Sequence, residues 1–306
     1  MECTNKLTKN RLILFAVFTF GIAWILFLLV PILGIPYGAG NSIILVAAAM
    51  FAPTLGNILT RLVTKEGFQN MYLRPNFKGH IRHYLLVFFG PTLLLFLSVA
   101  VYFLIFPASL DPGLTLLKQI VASGGAATMT AEQLFLASLL QVILLGPVIN
   151  IIPTLGEELG WRGYLLPKLR EYHSDRAALL LSGVIWGVWH APVIVMGHNY
   201  GTEYFGYPLL GVLGMIVFCM ALGVIEGYVT IKLKSAIPAA MIHSTVNAGA
   251  GLAIYLAKPG YNPLLGPAIT GVIGGLPFLV LALFLFIKTG AQQREVAPEV
   301  TFKQEP

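Results

Sequence analysis

Residues 12–33 read LILFAVFTFGIAWILFLLVPIL, an apolar stretch without one charged side chain. About 20 such residues, rising 1.5 Å each, cross the hydrocarbon layer of a bilayer. Backbone polar groups in lipid must bond within their own segment, so this run is a helix that spans a membrane. Working outward, seven further runs have the same character, at about 41–60, 84–106, 132–155, 177–196, 208–231, 236–257 and 268–287. The reading is an all-α polytopic membrane protein of about eight transmembrane helices enclosing an intramembrane polar site.

Composition agrees, since 57% of the 306 residues are hydrophobic and 10% charged, where a soluble domain has about a quarter charged. The net charge of +6 does not signal nucleic acid, because Lys and Arg are spread over short connections and form no single basic face. Between the runs, all 19 basic residues except Lys118 and Lys258 fall on one side. The positive-inside rule makes that side, with both termini, cytoplasmic. Lys6, Lys9 and Arg11 resemble the charged start of a signal peptide, but the run that follows is too long and lacks a nearby small-residue cleavage site, so it reads as a retained anchor. Cys3 and Cys219 cannot form a disulfide framework.

The chain divides into a single transmembrane domain over residues 1–290, with its motif-bearing core at about 130–255, and a polar, mobile cytoplasmic tail at 291–306. The longest non-cytoplasmic connection, about 107–131, carries Pro107, Pro112, Gly113, Gly124 and Gly125 and reads as irregular with a short helical piece. The connection at 197–207 falls on the side away from the polar site.

Ionisable side chains at membrane depth are costly and mark function. Glu157 and Glu158 stand side by side between Gly156 and Gly160, just after Pro147 and Pro153, which should kink the fourth run or free its carbonyls. On a continuing helix Glu158 and Arg162 are neighbours at i and i+4, while Glu157 points about 100° away. A salt-bridged helix end accounts for Glu158 and Arg162 and leaves Glu157 without an explanation. Small residues at 156 and 160 would let another helix approach closely. His190 lies on the fifth run four residues after Trp186, and His243 shares a helix face with Asn247 on the seventh. Each histidine alone reads as a hydrogen-bonded core residue; three polar spots on three runs in the same half of the membrane read as one site. Glu226, between Gly223 and Gly227, reads as a helix-packing carboxyl near the interface that stays protonated or hydrogen-bonded. His80, His83, His173 and His198 fall in loops or at membrane edges and carry no assigned role.

The pattern Glu-Glu-x-x-x-Arg, aromatic-x-x-x-His and His-x-x-x-Asn on successive membrane helices resembles the type II CAAX prenyl endopeptidase family, also known as CAAX proteases and bacteriocin-processing enzymes or the Abi family. The resemblance covers about residues 130–255. Trp186 replaces the Phe that the second motif often carries, a change expected to alter packing and leave the polar chemistry intact. The resemblance implies an intramembrane endopeptidase acting on a membrane-associated or lipidated substrate, including prenylated CAAX-type peptides. Glu157 with His190 would activate a water, and His243 with Asn247 would form an oxyanion hole. Glu158 and Arg162 would support them. The expected partners are a peptide or protein substrate and the lipid bilayer, and the expected location is the plasma membrane of a prokaryote.

No cofactor is assigned. A Glu and two His can also hold zinc with an open position, yet the His-Glu-x-x-His spacing is absent; the residues lean against an obligatory metal without deciding it. Two non-proteolytic classes compete. A membrane scaffold that works by binding other proteins would show eroded motifs, and a transporter would show repeated half-motifs; neither signature is present.

Overall fold

The computed structural model describes residues 2–123 and 129–296. The chain enters through α1 (Glu2–Ile32), α2 (Gly40–Ala49), α3 (Ala52–Val63) and α4 (Ile81–Ile105). A 3₁₀ turn at Pro107–Ser109 leads to the short α5 (Thr115–Ser123), which occupies the expected irregular connection; residues 124–128 of it lie outside the described residues. Then come α6 (Ala131–Ile149), α7 (Ile151–Gly160), a π-helical turn at Trp161–Leu165, α8 (Leu166–Leu169), α9 (Asp175–Trp189) and α10 (Ala191–Val195). The chain ends in α11 (Leu209–Leu233), α12 (Ile237–Gly249), α13 (Leu252–Tyr255) and α14 (Leu276–Val296). The proposed tail therefore begins as helix, and residues 297–306 lie outside the described residues.

Among the described residues, six helical stretches are long and apolar enough to cross a membrane: Leu7–Ile32, Gly40–Val63, Ile81–Ile105, Ala131–Ile149, Leu209–Leu233 and Ile237–Tyr255. Two of the eight expected runs fold differently. Residues 177–196 become the 15-residue α9, about 22 Å long by its rise, followed by the five-residue α10. Residues 268–275 carry Gly271, Gly274 and Gly275 and stay outside α14, whose apolar part is Leu276–Gly290. Large side chains such as Ile25, Leu86 and Leu104 are more than 60% exposed, as lipid-facing positions are when no lipid surrounds them. The protein is an integral membrane protein on this pattern of long apolar helices.

Two features of this packing place the polar site. The first is the break between α6 and α7, where Pro153 lacks the N–H that would bond Ile149. Ser244 of α12 enters the gap: its hydroxyl donates to the Gly146 carbonyl (2.6 Å) and accepts from the Asn150 N–H (2.9 Å). In an unbroken helix those two backbone groups would bond each other. Thr154 adds a bond to the Ala240 carbonyl (3.0 Å), so α12 is fastened to the start of α7.

The second is glycine-mediated approach. A side chain at Gly160 would collide with Pro53 of α3, and one at Gly187 would meet the Ile216 backbone of α11 at 2.5 Å. Across the first contact, Asn57 donates to the Leu159 carbonyl (2.8 Å) and Thr54 to that of Gly156 (2.5 Å). The close approach expected at residues 156 and 160 is thus made by α3 at Gly160 and by Met50 and Phe51, just before α3, at Gly156.

Candidate active site

Glu157 and Glu158 are the last polar residues of α7, 2% and 0% exposed, and they diverge as the helical phase requires. Glu157 Oε2 accepts from the indole N–H groups of Trp186 (2.9 Å) and Trp161 (3.3 Å). Both bonds use the same oxygen, which leaves Oε1 for the cavity that Glu157 lines. Trp186 therefore contributes polar chemistry, contrary to the expectation that its replacement of Phe only alters packing, because an indole N–H donates where a phenyl ring cannot.

Glu158 turns the other way. Arg162 Nη1 lies 3.0 Å from both of its oxygens, and His243 Nδ1 lies 3.0 Å from Oε1. A π-helical turn, often found at functional sites, begins just after the pair and carries Arg162. The guanidinium stacks over the Trp186 ring, 4.2 Å from its centroid. Its Nη2 also approaches Glu226 Oε2 of α11 to 2.5 Å, an electrostatic contact without hydrogen-bond alignment, since neither atom has a hydrogen-bond partner. Glu226, read from the sequence as a helix-packing carboxyl, is the second carboxyl that faces Arg162. One guanidinium, 1% exposed, joins two fully buried carboxylates.

The histidines complete the arrangement. His190 caps α9 and its Nδ1 lies 2.9 Å from the Trp186 carbonyl; a carbonyl only accepts, so Nδ1 carries a proton and a neutral ring keeps its lone pair on Nε2. The thiol of Cys219 is 3.9 Å from the same Nδ1. The Trp189 ring meets His190 edge to face at 4.8 Å, and Trp186 meets His243 at 5.2 Å. Glu157, Trp186, His190, His243 and Asn247 all line one cavity of about 240 Å³. The four residues expected to carry chemistry converge there, while Glu158 and Arg162 stand behind them.

His198 and Asn199, given no role from the sequence, line the same cavity. The 197–207 connection therefore reaches the site. It does so because α9 and α10 are short and Gly197, at φ +96°, turns the chain inward. A larger depression of about 1350 Å³ opens beside the 66–76 loop, among Arg61, Glu66, Tyr164 and Lys168; neither motif histidine lines it.

Among the described residues, ligating atoms of Glu158, Glu226 and His243 lie within 4.8 Å of one another, close enough to hold a divalent ion. Arg162 already contacts both of these carboxylates, so a cation between them would face a guanidinium at the same oxygens. The guanidinium and a metal would therefore compete for these oxygens.

The comparisons agree with the motifs. The family described as Type II CAAX prenyl endopeptidase Rce1-like matches residues 134–249, which include all three motifs. A protein named CAAX prenyl protease 2 from Methanococcus maripaludis is 34% identical over 92 residues. That similarity covers 30% of this chain and 34% of the relative, about a third of the latter's length.

Proposed function

We propose that this protein is an intramembrane endopeptidase of CAAX type that hydrolyses a peptide bond with a Glu157-activated water. The observation that carries the reading is the convergence of Glu157, His190, His243 and Asn247 on one cavity, within the stretch matched by a protease family. Glu157 Oε1, assisted by the lone pair on His190 Nε2, takes a proton from a water whose oxygen bonds to the scissile carbonyl carbon. The tetrahedral oxyanion receives hydrogen bonds from the Asn247 amide and from His243. The C–N bond then breaks, and the proton held by Glu157 passes to the departing amine.

His243 can serve the oxyanion only from Nε2, because Nδ1 already faces Glu158. Donation from Nε2 requires the imidazolium, with Glu158 as its counter-ion. Arg162 and that imidazolium then both face Glu158, and Glu157 is left as the carboxylate free for the reaction. On this reading the hydrolysis depends on glutamate and has no step through a metal. The substrate would be a membrane-associated or lipidated peptide, including a prenylated C-terminal one, reached from the bilayer.

Glu157→Gln, with folding and membrane insertion verified, should abolish cleavage of a farnesylated CAAX-type peptide in proteoliposomes; activity near the wild-type level would refute the assignment. Chelation tests the metal-free reading separately. Activity should persist after o-phenanthroline treatment and dialysis, and a loss restored by stoichiometric zinc would replace this mechanism.

A further inference from the structure

The depression of about 1350 Å³ beside the 66–76 loop is lined by none of the proposed catalytic residues. Its depth in the membrane is set by the helices that meet there. Arg61 is in the last turn of α3, where the apolar stretch Gly40–Val63 ends, and Lys234 follows directly on the stretch Leu209–Leu233. The loop itself leads into the stretch that begins at Ile81. The depression therefore sits where the hydrocarbon layer gives way to lipid headgroups.

The wall of the depression is built in place. Arg61 Nη1 donates to the Gly67 and Gln69 carbonyls (2.9 and 3.0 Å), and its guanidinium lies over the Tyr164 ring, 5.1 Å from the centroid. The Ala236 N–H donates to the Tyr72 carbonyl (2.9 Å), and the Asn76 amide to the Leu233 carbonyl (2.9 Å). These bonds fasten the loop to α3 on one side and to the turn between α11 and α12, which carries Lys234, on the other.

Positive charge is left over on the lining. Its two carboxylates are already engaged, Glu66 by Arg11 (3.3 Å) and Lys168 (2.7 Å), and Glu171 by Lys168 (2.9 Å). Arg170 is taken by Asp175 (2.7 Å). Among the described residues, Arg61, Arg74 and Lys234 form no ion pair with a carboxylate. Arg61 is only 5% exposed, and a buried charge is costly unless an anion meets it. Phe68 and Leu73 line the same depression and are about half exposed, so an occupant meets apolar surface beside the cations. A phosphodiester joined to acyl chains presents that combination. A free phosphate has no use for the apolar pair, and an acidic segment of another protein would have to displace the headgroups at this depth.

We propose that this depression binds the headgroup of an anionic phospholipid, with Arg61, Arg74 and Lys234 supplying the charge that holds its phosphodiester and Phe68 and Leu73 meeting its apolar part. The site is independent of the proteolytic reading.

The test titrates the full chain, in a neutral detergent at fixed concentration, with dioctanoyl phosphatidylglycerol and reads binding by microscale thermophoresis. Arg74→Gln combined with Lys234→Gln changes two exposed side chains and spares the buried Arg61. Affinity should fall about 25-fold, since each Lys or Arg near an anionic lipid surface contributes about fivefold. Lys78→Gln combined with Lys232→Gln removes two exposed cations from neighbouring positions that do not line the depression, and should leave affinity within about twofold. Equal weakening by the two pairs would show diffuse attraction and overturn the site. Wild type that binds no phosphatidylglycerol, that binds phosphatidylcholine equally well, or that matches the Arg74 and Lys234 double variant would overturn it too. At matched ionic strength, neither inorganic phosphate nor an oligoglutamate peptide should displace the lipid. Displacement by phosphate would assign the depression to a free anion, and displacement by the peptide alone to a protein partner; either result overturns the lipid site. No arm reads cleavage, so failure here leaves the proteolytic reading standing, and an inactive protein with this lipid selectivity keeps the site.

Discussion

Replacing Arg162 by Met tests whether the guanidinium is the keystone of the buried network. Its methylene stem is approximated by Met, so the change removes charge more than volume. Two contacts go with that charge, to Glu158 at 3.0 Å and to Glu226 at 2.5 Å, between side chains no more than 1% exposed. Breaking a buried ion pair by removing one partner costs about 3–5 kcal/mol, because the other charge stays desolvated. The cation–π contact with Trp186 at 4.2 Å adds about 0.5–2 kcal/mol. His243 still faces Glu158, and Glu226 can take up a proton, so a net loss of about 3–5 kcal/mol is expected. Reversible unfolding in mixed detergent micelles, followed by tryptophan fluorescence, reads it. Combining Arg162→Met with Glu158→Gln and Glu226→Gln removes the orphaned charges and should recover more than half of the loss. Arg162→Lys should fall between, since an ammonium keeps the charge but not the two-pronged geometry. A single Arg162→Met variant within about 1 kcal/mol of wild type would show that the two carboxylates do not depend on Arg162.

Trp186→Phe removes the 2.9 Å donor to Glu157, with Trp161 left at 3.3 Å; turnover should fall about tenfold or more, on the usual 1.5–3 kcal/mol for a hydrogen bond to a charged group, and unchanged turnover would refute the indole's polar role. At the basic face, burial raises the Glu66 carboxyl, but hydrogen bonds from Lys168 and Tyr164 and the charges of Lys168 and Arg11 outweigh it and hold the group below its ordinary 4.5. A depressed carboxyl stabilises the fold above its unfolded value and loses that contribution as pH falls through the folded one. Melting temperature should therefore drop below about pH 4.5 in wild type and less steeply in Glu66→Gln; parallel profiles would remove Glu66 as a source of acid sensitivity.

The local part of the site was legible in the sequence because it depends on helical phase alone. Glu158 and Arg162 pair at i and i+4, Glu157 faces elsewhere, and Gly156 and Gly160 admit a neighbouring helix. The break before the acidic pair was also readable, from Pro147 and Pro153. What fills the break was not, because Ser244 is an ordinary residue 94 positions from Asn150, and nothing in local periodicity marks a hydroxyl that enters another helix. The 197–207 connection was misplaced for a related reason. A hydropathy run shows that a segment is apolar but not that α9 spans only 15 residues, and it is that shortness which lets His198 reach the cavity.

The indole donors explain how two adjacent acids in one turn of helix come to do different work. Arg162 has five N–H donors in a rigid fork, enough to engage Glu158 and Glu226 together, and a carboxylate held by a buried guanidinium is a poor proton acceptor. Glu157 is withheld from that fork by its place on the helix and takes its hydrogen bonds from the uncharged indoles of Trp161 and Trp186, both on Oε2. It is oriented without being neutralised, so Oε1 keeps its basicity toward a water. Exchanging the two environments would exchange the roles. The arrangement thus depends on Trp186 presenting its N–H to Glu157 and its ring face to Arg162 at once, a pair of contacts that phenylalanine could make only by half.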